Sequence, residues 1–479
     1  MLAARLTEDP GHRVALIEAG PDYPTIDLLP EDLRDGRRSA GSHDWAYTDE
    51  LTGGPVARAR VVGGCSATNG TIALRGTVRD FDGWAARGNP GWSYDEVLPF
   101  FLRVEDDQDF ADRWHGQDGP LPIRRYRPKE LTAVNAAAYE AAVRTGFPEV
   151  ADHNRPGAVG LGTAPVNAIG GVRMSAAMTY LAQARGRANL ALLADTPVDR
   201  ILVEDARAVG VLLADGRVVR AARVVLSAGT YGSPVILLRS GLGPAQELRE
   251  LGVQVRADLS GVGANLQEHP GVSVMWPMAE AQPDGPRFQV VATWNSGVGG
   301  GIGDGESEFD MQHVPAGTPQ LFWVSASVMA PRSRGTVKLA SADPAAAPRI
   351  RVGMLEDPLD VARMIEGVHS ARRIGAQRPL RELASGPEQW AGAGLEDDEE
   401  LAKAVRAGVW TYHHAAGTCA MGPDPAAGAV VDARGAVHGV DGLTVADASI
   451  MPVIPSANTH LTTLMMAERI AAWLREEKE

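Results

Sequence analysis

The end of the first apolar run constrains this chain more than any other feature. Met1–Leu6 is alanine-rich and suited to a helix, and Thr7–His12 reads as a polar turn. Arg13-Val-Ala-Leu-Ile17 is then a β-type run that ends in Glu18-Ala-Gly20. A helix followed by a buried strand ending in an acid is the second half of a dinucleotide-binding βαβ unit, whose carboxylate accepts the ribose hydroxyls. The glycine fingerprint of such a unit precedes the acid by about 20 residues. The Gly-x-Gly-x-x-Gly loop is therefore expected upstream of Met1, and none lies beside a suitable strand elsewhere in the chain.

Composition narrows the classes. A length of 479 residues suggests two to four domains, and 44% hydrophobic with 22% charged residues is the balance of an ordinary globular core. The net charge of −14 disfavours nucleic-acid binding, because a phosphate backbone attracts a basic stripe. Of the 46 cationic residues only Lys129, Lys338, Lys403 and Lys478 are lysine. Cys65 and Cys419 are too few for a disulfide framework or a cysteine-rich zinc site. No apolar run reaches the ~18 residues of a membrane span, and the N-terminus lacks the cationic lead of a signal peptide. A soluble, cytoplasmic protein with no integral membrane segment is expected.

Further along, Ala59-Arg-Val-Val-Gly-Gly-Cys-Ser-Ala-Thr-Asn-Gly70 reads as a tight loop in which backbone N–H groups can approach a ligand. Short β-type runs at Asn189–Leu193, Arg200–Val203, Val209–Leu213, Arg217–Val219 and Val224–Leu226 have the texture of a sheet. Gly229–Pro234 then caps a helix expected over Val235–Ser240, with Pro234 in its first turn. Gln282–Gly305 is glycine-rich and polar, a mobile loop by composition, and Thr459–Leu474 is a long amphipathic helix. There is no internal repeat.

Four segments together resemble the glucose–methanol–choline (GMC) oxidoreductases, a family of FAD-dependent alcohol oxidases and dehydrogenases. The first is Ala59–Asn69, continued by Leu74-Arg-Gly76, Asp80-Phe-Asp-Gly-Trp84 and Gly88-Asn-Pro-Gly-Trp-Ser93. The second is Gly229-Thr-Tyr-Gly-Ser-Pro-Val-Ile-Leu-Leu-Arg-Ser-Gly-Leu-Gly243, and the third Val262-Gly-Ala-Asn-Leu-Gln-Glu-His269. The fourth comprises His414-Ala-Ala-Gly-Thr-Cys-Ala-Met-Gly422, Val445-Ala-Asp-Ala-Ser-Ile-Met-Pro452 and Pro455-Ser-Ala-Asn458.

The resemblance implies an α/β fold. A Rossmann-like FAD-binding domain would be assembled from residues 1–120, 185–270 and 405–479. An inserted α+β substrate-binding domain, an antiparallel sheet with helices, would span 121–184 and 271–404. It also implies specific contacts to FAD: Glu18 and Ala19 at the adenosine ribose, and Gly63, Gly64, Asn69, Gly70 and Ile72 along the pyrophosphate and flavin. Val198 would meet the adenine, Asp447 and Ala448 the pyrophosphate–ribityl region, and Thr459 and His460 the pyrimidine end of the flavin. Thr68 stands where some relatives carry the histidine that bonds FAD covalently, so the cofactor is expected to be non-covalent.

The catalytic pair implied is His414 and Asn458. A positioned imidazole suits uptake of an alcohol's hydroxyl proton, the flavin takes the hydride, and an amide can hydrogen-bond the developing alkoxide without titrating. The substrate is then a small primary or secondary alcohol, with oxygen, a quinone or a carrier protein as electron acceptor. Two other readings stay open at this point: a flavin-fold lyase acting on an α-hydroxy substrate, and a truncated product that does not bind FAD. No metal site is expected, because nothing completes a ligand set around His413, His414 and Cys419.

Overall fold

The structure, a computed structural model, describes residues 1–298 and 309–476. The opening helix is Leu2–Leu6 and the strand after it Val14–Ile17. That strand pairs in parallel with Leu190–Leu193, from Val14 opposite Leu190 to Ile17 opposite Leu193. The chain leaving it runs hard against the next loop: a Cβ on Gly20 would sit 2.0 Å from the Arg60 carbonyl oxygen. Glycine at this position is what lets the Ala59–Asn69 loop lie on the strand end.

Three antiparallel strands follow, Val198–Glu204, Arg207–Leu213 and Val218–Arg220. Val224–Leu226 then pairs in parallel with Leu443–Val445, so the C-terminal segment returns to the same body. The terminal helix Thr459–Glu476 buries Leu461, Met465 and Ile470 against the helices Tyr94–Val104 and Leu2–Leu6.

The helix expected over Val235–Ser240 begins earlier, at Gly229, and runs to Arg239. Pro234 is therefore inside it rather than in its first turn. A proline there leaves the carbonyl four residues back without its helical N–H. That carbonyl, Thr230 O, instead accepts from the Thr418 hydroxyl at 2.6 Å, which ties the helix to the His414–Gly422 segment.

The other large unit is a six-stranded antiparallel sheet in the order Trp410–Thr411, Pro270–Pro277, Leu321–Val328, Met311–Gly317, Val290–Trp294, Leu161–Thr163. The helices Ala133–Arg144 and Pro358–Gly375 pack on it around Phe322, Val324, Met364 and Val368. This core is separate from the one that holds Phe81, Trp84, Trp92 and Leu461. Val290–Trp294 falls within the stretch expected to be an irregular loop. Val-Val-Ala-Thr-Trp is a β-branched and aromatic run buried between two partner strands, and that pairing outweighs its polar flanks. Residues 299–305 of that expected loop lie outside the described residues.

Candidate active site

Two neighbouring strands deliver two histidines to one place. Pro270 pairs with Thr411, and beyond the sheet the ladder resumes at Gln267 and Ala416. Between those pairs the second strand carries two more residues than the first, and the surplus is absorbed at His413, which adopts φ 65°. The bulge turns His414 inward, against His269 from the adjacent strand. Their Nδ1 atoms are 2.9 Å apart, with the rings edge-on at 87°.

The buried carboxylate of Glu268 holds this bulge in shape. It accepts from the backbone N–H of His414 (2.8 Å), the N–H of His269 (2.9 Å) and the Thr411 hydroxyl (2.6 Å). Arg58 is its nearest cation, at 3.8 Å, and also lies 4.8 Å over the Tyr231 ring. Burial pushes the Glu268 carboxyl up, opposed by Arg58 and these hydrogen bonds.

Asn458 reaches the same imidazole from the far end of the chain, with its Nδ2 3.1 Å from His414 Nε2. Its position is set by clamps from other quoted motifs. Asp80, which caps the helix Val78–Ala86 with Thr77, also accepts from Ser456 N (2.9 Å) and Ser456 Oγ (3.1 Å). Trp84 Nε1 donates to Val453 O, while Asn265 and Gln267 donate to Pro452 O. Much of the sequence pattern thus serves to hold loops still around two side chains.

Electrostatically the pocket favours a neutral imidazole. His414 and Asn458 are both buried. Burial first, then the neighbouring His269, His413 and Arg58, hold the His414 imidazolium well below the usual histidine range. Tyr412 stacks obliquely on it at 4.4 Å and donates its hydroxyl to Gln312 Oε1. Arg58, Glu268, His269 and Tyr412 were not assigned roles from sequence. Glu268 and His269 lie in the third motif, so the signal for them was there without a reason to pick them out.

The residues implied for FAD fall in two groups. Glu18, Ala19, Gly63 and Gly64 gather at the end of the strand Val14–Ile17, joined by Gly20 N donating to Glu18 Oε1 (2.9 Å) and Arg60 Nε to Ala19 O (3.2 Å). Burial raises the Glu18 carboxyl to about 7 against the N–H groups of Gly20 and Ala19. Val198 begins the strand that follows, its carbonyl already accepting from Arg239. Ala448 O accepts from Gly417 N (3.1 Å) in the His414–Gly422 segment, Thr459 and His460 directly follow Asn458, and Ile72 shares a small apolar cluster with Ala457 and Tyr412. Asn69 Oδ1 accepts from Thr71 N, and Gly70 lies under the Phe288 ring. Asp447 is committed within the protein, since Oδ2 accepts from Gly229 N (2.9 Å) and Ser233 Oγ (2.6 Å).

These groups fit a dinucleotide. Gly64 (φ 55°) and Gly229 (φ 78°) have nothing within 4 Å of a notional Cβ, so the backbone faces open space at both. Asn458 Oδ1 and His460 Nε2 are buried polar atoms with no protein partner. A flavin with its ring carbonyls and nitrogens is of the chemistry to meet them.

Among the described residues one set of side chains has metal-ligating spacing, Glu105, Asp107 and His115. Arginines already neutralise it: Arg75 pairs with Glu105, Arg125 with Asp107 and with Asp152 (2.9 Å). His115 bridges Asp107 at 3.0 Å and Asp152 at 2.9 Å. Three carboxylates face two guanidiniums and one imidazole, so a dication would unbalance the cluster.

Comparison with known proteins agrees with this geometry. Two family descriptions, both GMC oxidoreductase, match residues 53–271 and 331–467. An uncharacterized GMC-type oxidoreductase of Rhodococcus erythropolis is 37% identical over 99% of this chain and 95% of its own. The 5-(hydroxymethyl)furfural oxidase of a Methylovorus species is 36% identical over 98% and 95%. The crystal structure of pyridoxine 4-oxidase from Mesorbium loti superposes with a TM-score of 0.91 at 29% identity, covering 100% of this chain and 97% of that one. The chain belongs to the GMC oxidoreductase family. It is accordingly an FAD-dependent oxidoreductase that acts on CH–OH groups, and the expected α/β fold is the one observed. No described helix is long and apolar enough to cross a membrane.

Proposed function

We propose that this protein oxidises a small primary or secondary alcohol to the carbonyl, with His414 as base and Asn458 as its partner. The observation that carries the reading is the buried His414 with Nε2 held 3.1 Å from the Asn458 amide. A substrate hydroxyl that takes the place of that amide N–H at Nε2 can give up its proton there. The displaced Asn458 N–H is then free to donate to the same oxygen as charge builds on it. FAD, when bound, supplies the hydride acceptor. Burial keeps the imidazole unprotonated before substrate arrives. Relatives named as oxidases of 5-(hydroxymethyl)furfural and of pyridoxine support an alcohol of modest size.

Within this reading Glu18 and Ala19 hold the ribose, and Gly63, Gly64, Asn69, Gly70, Ile72, Asp447, Ala448, Thr459 and His460 line the rest of the cofactor. Val198 meets the adenine. FAD is held non-covalently, since the Ala59–Gly70 loop contains no histidine. Residues 1–120, 185–270 and 405–479 form the cofactor domain, and 121–184 with 271–404 the substrate domain. The free Cys65, exposed, fits a reducing cytoplasm.

The test is anaerobic addition of a panel of primary and secondary alcohols to the FAD-loaded chain. Bleaching of the flavin band, lost in His414→Ala, is the expected result. Bleaching at the wild-type rate in His414→Ala would overturn the assignment of the base.

A further inference from the structure

The third sequence motif ends in a histidine to which the alcohol chemistry gives no role. His269 is fully buried, carries no carboxylate partner on its ring, and touches His414 through Nδ1 alone. Two neutral imidazoles whose Nδ1 atoms are 2.9 Å apart cannot both carry a proton there, nor can both be bare and still bond. One nitrogen donates and the other accepts, so the tautomer of one ring dictates that of the other.

One feature sets the direction. The buried Nε2 of His269 has no protein partner and does not fix the tautomer of its own ring. On the far side of His414, the Asn458 amide nitrogen points at Nε2 and calls for a lone pair. That amide sets the arrangement: a bare Nε2 and an Nδ1–H on His414, and a bare Nδ1 on His269 to accept from it.

We propose that His269 is a positioning residue that fixes His414 in the Nδ1–H tautomer, so that its basic lone pair lies on Nε2 toward Asn458. This rests on the reading of His414 as base. In the proton step the substrate O–H bond breaks and an Nε2–H bond forms on His414. The resulting imidazolium keeps its Nδ1–H donated to His269, whose lone pair shares the new positive charge. His269 thereby also replaces the carboxylate that orients many catalytic histidines, without adding a negative charge beside the flavin site. The other charged or titratable groups facing the pair are Arg58, Glu268, His413 and Tyr412, and none of these reaches either Nδ1.

The test compares His269→Leu with His269→Asn, which have the same shape but differ in offering an acceptor where Nδ1 stood. In the FAD-loaded protein H269L is expected to lose at least ~10-fold in kcat with little change in KM. The upper bound is the ~10⁴-fold cost of a wrong tautomer in a serine-protease triad. H269N restores most of that loss. Equal rates in the two variants would mean that His269 only fills space, and would overturn the proposal. A second readout needs no turnover: ¹⁵N-histidine NMR of the wild-type chain, with the His414 signals identified by their absence in H414A. A protonated Nδ1 and bare Nε2 on His414 support the proposal, and the reverse overturns it even if H269L fails to fold. Full activity in H414A would instead remove the base assignment and leave the NMR result to stand or fall by itself.

Discussion

His115 and His414 are both buried imidazoles, and the protein treats them in opposite ways. Burial lowers the proton affinity of each. At His115 the carboxylates of Asp107 and Asp152, bonded to both ring nitrogens, overcome that penalty and raise it to about 9. At His414 the neighbours are another histidine, an amide and a distant guanidinium, so nothing offsets burial. The first is a locked cation in a balanced ionic cluster, able to glue but not to titrate near neutrality. The second is held neutral, with one ring nitrogen facing the Asn458 amide. Burial alone tells little about what a histidine does, and the charge of its hydrogen-bond partners tells most of it.

The comparison can be broken at several points, and the largest effect is expected at His414. Replacing it with Ala lowers kcat by ~10²–10⁴-fold, the range for loss of a general base, while thermal unfolding stays near wild type. His115→Leu does the converse. Leaving the buried Asp107 and Asp152 with Arg125 as the one cation they share costs ~3–5 kcal/mol of stability, read in denaturant titrations, while the folded fraction retains its turnover. Should H115L slow turnover as much as H414A, the division between a structural and a chemical histidine is wrong. Asn458→Ala is next: a loss of ~10²–10³-fold in kcat is expected for one donor at a developing oxyanion, measured by anaerobic flavin reduction.

The pH dependence of stability is subtler. His115 binds its proton more tightly folded than unfolded, so its contribution is complete below about pH 6.5 and is lost as pH rises through about 9. H115L should lack that alkaline decline. His414 and His269 have the opposite sign, since the unfolded chain takes up protons that the folded one refuses as pH falls below about 6.5. The same acid-side loss is shared by His153, His313, His413 and His460, each lowered to about 4 by burial. Removing His269 alone therefore flattens the acid limb only slightly, the smallest effect in the series.

Sequence alone marked the strand ending in Glu18, the glycine loop and the terminal helix, because periodicity and glycine spacing are local properties, while the pair His414 and Asn458 came from the resemblance of the ordered motifs to a family. It placed Pro234 in a first turn, since the rescue of Thr230 O by the Thr418 hydroxyl joins residues 188 apart. It read Val290–Trp294 as loop, since that strand exists only through its partners on both sides. The ionic cluster around His115 was invisible for the same reason: it gathers residues 75 to 152 from several elements. What the sequence by itself determined is which residue types stand ready for a flavin and an alcohol. Which histidine stays charged and which stay neutral was decided only by tertiary structure, because proton affinity is set by neighbours that the chain brings together from afar.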